Sequence, residues 1–213
     1  MPTPPRGLQL PPLYAILDPE QTKGRVPETV LLELLKSGIE WLQLRVKAMP
    51  PRNFLDLACA ARRRTRSSSC KLIVNDRVDI ALACAADGVH LGQEDLPLQA
   101  ARKLMGDRII GISTHDVEQA KAAEASGADY IGFGPMFGTA TKATGYSARG
   151  LEMLRRVREA VRIPIVAIGG ITEGNVNEVW QAGADSAAII SDLLGADDIV
   201  DKVKRILALC QAL

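Results

Sequence analysis

Aromatic side chains are scarce in this chain of 213 residues, at 4% of the sequence. Its core must therefore be aliphatic, drawn from the Ile, Val, Leu and Ala that dominate a 47% hydrophobic content. Histidine is scarcer still, with only His90 and His115. The four cysteines, Cys59, Cys70, Cys84 and Cys210, form no CxxC pair and have no histidine cluster beside them. That argues against a structural zinc site, and unpaired cysteines suit a reducing compartment. No apolar run is long enough to span a membrane, and the N-terminus lacks the apolar region of a signal peptide. Net charge is nearly absent too, at +1, so no global field directs the chain to nucleic acid or an anionic membrane. These absences leave the expectation of a soluble cytoplasmic protein in which any site for a charged ligand is local.

What is present is rhythm. The first twelve residues hold five of the twelve prolines, so residues 1–12 are expected to form a mobile tail and residues 13–213 one domain. Aliphatic runs then predict strands at Leu13–Leu17, Trp41–Val46, Leu72–Val74, Gly88–Leu91, Ile109–Ile112, Tyr130–Phe133, Ile163–Ile168 and Ser186–Ile190. Helical spacing follows each, at Val30–Lys36, Arg52–Arg66, Val78–Cys84, Leu98–Met105, Val117–Ser126, Leu151–Val161, Asn175–Gln181 and Ile199–Leu209. Strict alternation argues for a parallel sheet with helical crossovers, and continuous apolar strands for burial on both faces. Eight uninterrupted units favour a single (β/α)8 TIM barrel in the α/β class over an open sheet.

A short repeat precedes the even-numbered strands: Ser37-Gly38-Ile39-Glu40, Ala85-Ala86-Asp87-Gly88, Ser126-Gly127-Ala128-Asp129 and Ala182-Gly183-Ala184-Asp185. A small residue ends each helix and an acidic residue enters the strand, as in a barrel built from βαβα quarters. The basic run Arg62-Arg63-Arg64-Thr65-Arg66 falls at a predicted helix C-terminus, where cations complement the dipole, and reads as a solvated face.

In such a barrel the chemistry lies where the strands end. After the second strand, alternation puts Gln43, Arg45 and Lys47 on one side and Leu44 and Val46 on the other. If the apolar pair faces the helices, the polar three face the barrel mouth. Asn75 and Asp76 follow the third strand, and Gly92, Gln93, Glu94 and Asp95 the fourth. Singly, Asp76 and Asp95 read as helix caps. Together, on adjacent strands and beside Arg45 and Lys47, they suit Mg²⁺ held against a diphosphate. Ser113, Thr114 and His115 follow the fifth strand, and His90 lies within the fourth as a core or supporting residue. Gly169-Gly170 after the seventh strand and Ile190-Ser191 after the eighth fall at the common phosphate position of this fold.

The stretch 132–150 interrupts the rhythm with five glycines and four Ser or Thr hydroxyls. A long connection of this kind is most often a lid or binding loop. Its Thr139-Ala140-Thr141-Lys142 offers hydroxyls, an ammonium and backbone amides suited to an anion.

Taken in order, Gln43-Leu44-Arg45-x-Lys47, Asn75-Asp76-Arg77-Val78-Asp79, Asp87 to Pro97, Gly111 to His115, Gly134-Pro135, Thr139-x-Thr141-Lys142, Ala167 to Thr172 and Ile190-Ser191 resemble the thiamine-phosphate synthase (thiamine-phosphate pyrophosphorylase) family. The resemblance runs from about Leu13 to Leu207. It implies a transferase that joins 4-amino-2-methyl-5-hydroxymethylpyrimidine diphosphate to a thiazole phosphate and releases diphosphate. It implies Mg²⁺ on Asp76 and Asp95, with diphosphate on Arg45, Lys47, Asn75 and Lys142. Gln43 would lie on the pyrimidine side and Ser113 beneath the reacting centre. Thr139 and Thr141 would contact the thiazole, and Gly170, Ile190 and Ser191 would hold its phosphate. The partners are then small molecules, and the sequence leaves a homo-oligomer open.

Three positions depart from the family pattern: Leu17, Val46 and Gly138, where Thr, an acidic or polar residue, and Pro are usual. None removes an implied ligand. Three other readings stand beside the synthase: a TenI-like thiazole tautomerase using His115, a non-catalytic barrel that binds phosphorylated ligands, and a sugar-phosphate epimerase. The paired Asp76 and Asp95 argue against all three.

Overall fold

The computed structural model describes residues 7–138 and 147–211. Eight parallel strands close into a barrel in sequence order. They are β1 (Leu13–Leu17), β2 (Trp41–Leu44), β3 (Lys71–Asn75), β4 (Gly88–Leu91), β5 (Ile109–Thr114), β6 (Tyr130–Phe133), β7 (Ile165–Ile168) and β8 (Ser186–Ile189). The register closes through β1 and β8, with Tyr14 opposite Ala188. The helices are α1 (Pro27–Lys36), α2 (Pro51–Arg66), α3 (Val78–Ala83), α4 (Leu98–Met105), α5 (Val117–Ala125), α6 (Gly150–Ala160), α7 (Val176–Gln181), α8 (Ser191–Leu194) and α9 (Ile199–Gln211). All eight expected units are present, with ends displaced by a few residues. The sequence reading did not anticipate α8, whose single turn is too short to show a period.

Local chemistry accounts for the helix starts. Pro27 and Pro51 open α1 and α2 at positions where an amide hydrogen would have no helical partner. Asp116 caps α5 by accepting from the Gln119 amide at 2.8 Å. In α2, Phe54, Leu57, Ala58, Ala61 and Thr65 form one buried stripe, the spacing of a helix laid on a sheet.

Two layers of core result, and they differ in kind. Between strands and helices the packing is overwhelmingly aliphatic, as expected. Inside the barrel it is not. Tyr14, Trp41 and Tyr130 meet there edge to face, with ring centroids 5.6–6.1 Å apart, among Ile16, Ile73, Val166 and Ala188. Three of the eight aromatic residues of the chain thus occupy its most enclosed volume, which corrects the purely aliphatic expectation.

The N-terminal segment is also more than a tail. Leu8 and Leu10 pack against this interior cluster. The Pro12 carbonyl accepts from the Ala187 amide at 2.9 Å and from the Trp180 indole at 3.0 Å. Residues 7–12 therefore cover the barrel at the N-terminal ends of its strands. Residues 1–6 of the expected tail lie outside the described residues.

The repeat before the even strands has a fuller cause than helix capping. Gly38, Gly127 and Gly183 adopt positive φ, as does Ala85. Beyond the turn, Asp87 accepts from the Leu72 amide at 2.8 Å and from Arg62 at 2.6 Å. Asp129 does the same with Ile110 and Arg102, at 2.8 and 2.6 Å, and Asp185 with Ile165 and Arg158, at 2.8 Å each. Each carboxylate ties an even strand to the odd strand before it and to the helix that precedes that odd strand. Arg62 consequently leaves the solvated face that the basic run suggested.

Candidate active site

A cavity opens at the C-terminal ends of the strands. Gln43, Arg45, Asn75, Ser113, His115, Gly170, Ile190 and Ser191 line it, over a floor that includes Tyr14 and His90. Seven of the residues read from the sequence as site residues thus come together. Lys47, Asp76 and Asp95 are not in the lining. They form a second group, joined to the first through Asn75 and its neighbour Asp76. Thr139, Thr141 and Lys142 lie outside the described residues.

Strand alternation places the first group. Gln43 is 4% exposed and Asn75 8% exposed, because both point into the barrel where the strands end. Arg45 continues β2 by one more inward position, its amide still bonded to the Leu17 carbonyl at 2.9 Å. Its guanidinium pairs with Asp18, a fully buried carboxylate just beyond β1. Sequence reasoning missed Asp18 as a site residue. Its signal is its position, since it follows β1 as Asn75 and Ser113 close β3 and β5. Val46 turns to the helices and packs against the outer core, as alternation requires.

The second group contains the two carboxylates. Neither Asp76 nor Asp95 caps a helix: the N-cap positions of α3 and α4 are Arg77 and Pro97, and neither makes a side-chain cap. Asp76 instead holds a left-handed backbone, with φ 63°, a conformation that costs about 1 kcal/mol or more in a non-glycine residue. Its amide bonds to the His90 carbonyl at 2.8 Å, and its carboxylate pairs with Lys47. Asp95 accepts from the Gly92 amide at 2.6 Å, which folds the loop after β4 back on itself. Burial raises the Asp95 carboxyl above its ordinary range, and the hydrogen-bonded Asp76 carboxylate raises it further against the lowering by Gly92 and Lys47. Two facing carboxylates with no sulfur or imidazole donor suit a hard divalent cation that keeps several water or substrate ligands. Among the described residues no group of three His, Cys, Asp or Glu side chains gathers for a metal.

On the opposite side, Gly169 and Gly170 have φ of 100° and 67°. A Cβ on Gly170 would lie 2.7 Å from the Gly138 carbonyl oxygen, so only glycine fits between this turn and the start of the 134–149 connection. Asn175 braces the turn, donating to the Gly170 carbonyl at 3.0 Å and accepting from the Thr172 amide at 2.8 Å. Ser191 begins α8 directly after Ile190. The connection itself is shorter than the expected 132–150, because β6 takes its first two residues and α6 its last. Its stems are pinned by Met136 to Ile168, Phe137 to Gly169 and Arg149 to Pro135, at 2.8–2.9 Å.

His115 is held at its Nδ1 by the Gly134 carbonyl, 2.6 Å away. His90 bonds at both ring nitrogens, to Tyr130 and Ser113, as the supporting residue its place in a strand implied.

Buried polar groups at the strand ends, facing carboxylates beside a lysine and a glycine-lined turn after β7 together define a (β/α)8-barrel enzyme. Comparison with known proteins gives the family. The family described as thiamine monophosphate synthase matches residues 13–193. The chain is 42% identical over 197 residues to a thiamine-phosphate synthase of Chloroflexus aurantiacus, covering 92% of this chain and 91% of that one. It is 44% identical over 195 residues to a thiamine-phosphate synthase of Syntrophomonas wolfei, covering 91% and 93%. A solved thiamine phosphate pyrophosphorylase from Pyrococcus furiosus shares the fold with a TM-score of 0.86 at 36% identity, covering 94% and 96%. The chain belongs to the thiamine monophosphate synthase family. No helix among the described residues is long and apolar enough to cross a membrane.

Proposed function

We propose that this chain is a Mg²⁺-dependent thiamine-phosphate synthase. It joins 4-amino-2-methyl-5-hydroxymethylpyrimidine diphosphate to a thiazole phosphate, with or without its carboxylate, and releases diphosphate. The observation that carries this reading is the charge balance at the mouth. Asp18, Asp76 and Asp95 face Arg45 and Lys47, and each cation is already paired with a carboxylate. An incoming diphosphate therefore requires more positive charge than these residues hold. A divalent cation on Asp76 and Asp95 meets that need and fits their donor chemistry. Bound there, Mg²⁺ supplies charge stabilisation for the departing diphosphate.

The chain's own groups do the rest. Arg45, Lys47 and Asn75, with Lys142, hold the diphosphate and stabilise charge as its C–O bond breaks. Gln43 and Ser113 hold the pyrimidine over the aromatic floor. Gly170, Ile190 and Ser191 fix the thiazole phosphate across the cavity, and Thr139 and Thr141 contact the ring. The thiazole nitrogen is then aligned to capture the pyrimidine-stabilised cation before water does. No side-chain nucleophile takes part. The opposed carboxylates weigh against a tautomerase or a pure binding barrel, neither of which needs a metal beside a leaving group.

The test is diphosphate release by the purified chain given both substrates, with and without Mg²⁺. Release that needs Mg²⁺ and yields thiamine phosphate is expected. Isomerisation of thiazole carboxylate phosphate without diphosphate release would make the chain a tautomerase instead. Binding of phosphorylated ligands with neither activity would leave a binding barrel.

A further inference from the structure

Beneath the cavity, five side chains from five strands form one unbroken row. Gln43 Nε2 donates to Tyr14 Oη at 3.2 Å. Tyr14 Oη lies 3.0 Å from Tyr130 Oη, which lies 3.0 Å from His90 Nδ1. His90 Nε2 lies 2.9 Å from Ser113 Oγ. Glycines make room for the row. A Cβ on Gly111 would sit 2.1 Å from the Tyr130 ring, and one on Gly132 would sit 2.8 Å from the His90 ring. Both phenols are buried, which raises their pKa values and keeps their hydrogens in place.

Donor counting fixes the direction of the row. An amide nitrogen only donates, so the Tyr14 oxygen accepts and its single hydrogen goes to Tyr130. Tyr130 then donates to His90 Nδ1. A neutral imidazole accepting at Nδ1 carries its hydrogen on Nε2 and donates it to Ser113. What remains is the carbonyl and one N–H of Gln43 and the hydroxyl hydrogen and one lone pair of Ser113, so the row's fixed contribution is the orientation of the Gln43 amide. The opposite orientation requires the Gln43 amide and every hydrogen in the row to turn over together.

We propose that Tyr14, Tyr130 and His90 are positioning residues that couple Gln43 to Ser113 and make the site select an aminated pyrimidine over its oxo counterpart. The proposal rests on the placement of the pyrimidine against Gln43 and Ser113 given under Proposed function. An amino group beside a ring nitrogen presents a donor and an acceptor, complementary to the pattern in place. The oxo form sets a carbonyl against the Gln43 carbonyl, and turning that amide over reverses the hydrogens of Tyr14, Tyr130 and His90 with it. Buried groups left with the wrong polarity are what make hydrogen-bond selection strong.

The test is calorimetric binding of the aminopyrimidine diphosphate and its 4-oxo analogue, with Mg²⁺ and without thiazole phosphate, to the wild type, Tyr130→Phe and Tyr14→Phe. The wild type is expected to prefer the amino form by about tenfold or more. In Tyr130→Phe the two halves of the row turn independently, so the preference falls toward unity while far-UV circular dichroism is unchanged. Tyr14→Phe cuts the row at its other phenol, leaves His90 bonded to Ser113, and decides the matter if Tyr130→Phe does not fold. A structural role alone would weaken both ligands equally and keep the ratio, which overturns the proposal. Equal binding of both ligands by the wild type overturns it too and leaves the synthase reading standing. No binding of either ligand, with no diphosphate release, overturns both.

Discussion

At the N-terminal ends of the strands, Asp87, Asp129 and Asp185 each accept a backbone amide and an arginine on the same oxygen. At the C-terminal ends, Asp76 and Asp95 are turned toward each other, with Lys47 the cation paired with Asp76. The residue types are the same at both ends, and the balance of donors and charge is not. At the bottom each of these three carboxylates has its own cation and a strand amide, so their donors and charge are matched. At the mouth burial raises a carboxyl and its like-charged neighbour raises it further, and a backbone turn of positive φ holds Asp76 in that position. Like charges side by side are what the added cation of the proposed function would relieve.

The sharpest way to break this contrast is Asp76→Asn. Asparagine tolerates the left-handed backbone and nearly preserves the shape, but it removes the charge paired with Lys47 and offered to the proposed metal. We expect kcat for diphosphate release to fall by at least about a hundredfold, the scale of losing one group that stabilises transition-state charge. The thermal midpoint should stay close to that of the wild type or rise slightly, because a like-charge contact with Asp95 is relieved. Normal turnover in this variant would remove Asp76 from the metal site and return the mouth to a structural role.

The complementary change is Asp129→Ala at the bottom. It leaves Arg102 without its carboxylate partner and the Ile110 amide without its side-chain acceptor, in a place where Asp129 is largely enclosed. The expected loss is about 2 kcal/mol of stability, as for a partly buried charge-assisted pair, read by urea denaturation at an unchanged m-value. The kcat of the folded fraction should match the wild type. A change in kcat with stability retained would mean that the two ends communicate through the strands and are not separable.

How much of this was legible follows from which signals are local. The barrel could be read because each strand is a short aliphatic run and each crossover has a helical period. Gln43, Arg45 and Asn75 could be read because alternation carries inward positions to the strand ends. The even-strand repeat was visible, but its partners were not, since they lie on the preceding helices. Their separations of 25, 27 and 27 residues are nearly constant, and that spacing was the signal available. The aromatic interior was hidden because Tyr14, Trp41 and Tyr130 come from three separate strands and meet only on closure. The row from Gln43 to Ser113 was hidden for the same reason. The left-handed turn at Asp76 leaves no compositional mark, and without it the cap reading of that residue could not be dismissed.

A third set of carboxylates refines the contrast with the smallest expected effect. Glu173, after β7, takes Arg205 at 2.8 Å and Lys202 at 3.0 Å, and Lys202 also reaches Asp192 at 3.0 Å. Here cations surround the carboxylate, the reverse of the mouth. First Arg205 and then Lys202 pull the Glu173 carboxyl down from its ordinary 4.5 to about 2. A depressed carboxyl contributes stability that is fully present above its unfolded value and is lost as pH falls through the folded one. The contribution should therefore hold above about pH 4.5 and fade between there and about pH 2. Glu173→Gln should remove that share of the acid sensitivity, seen as a shallower fall of stability with pH than in the wild type over this window. Because the set lies at the surface and is only half-buried, the difference at neutral pH should be small and should shrink further in high salt. If the two stability profiles run parallel below pH 4.5, the surrounding cations do not hold the carboxylate ionised. Two cations on one carboxylate would then be no guide to which pairs of this barrel support the fold.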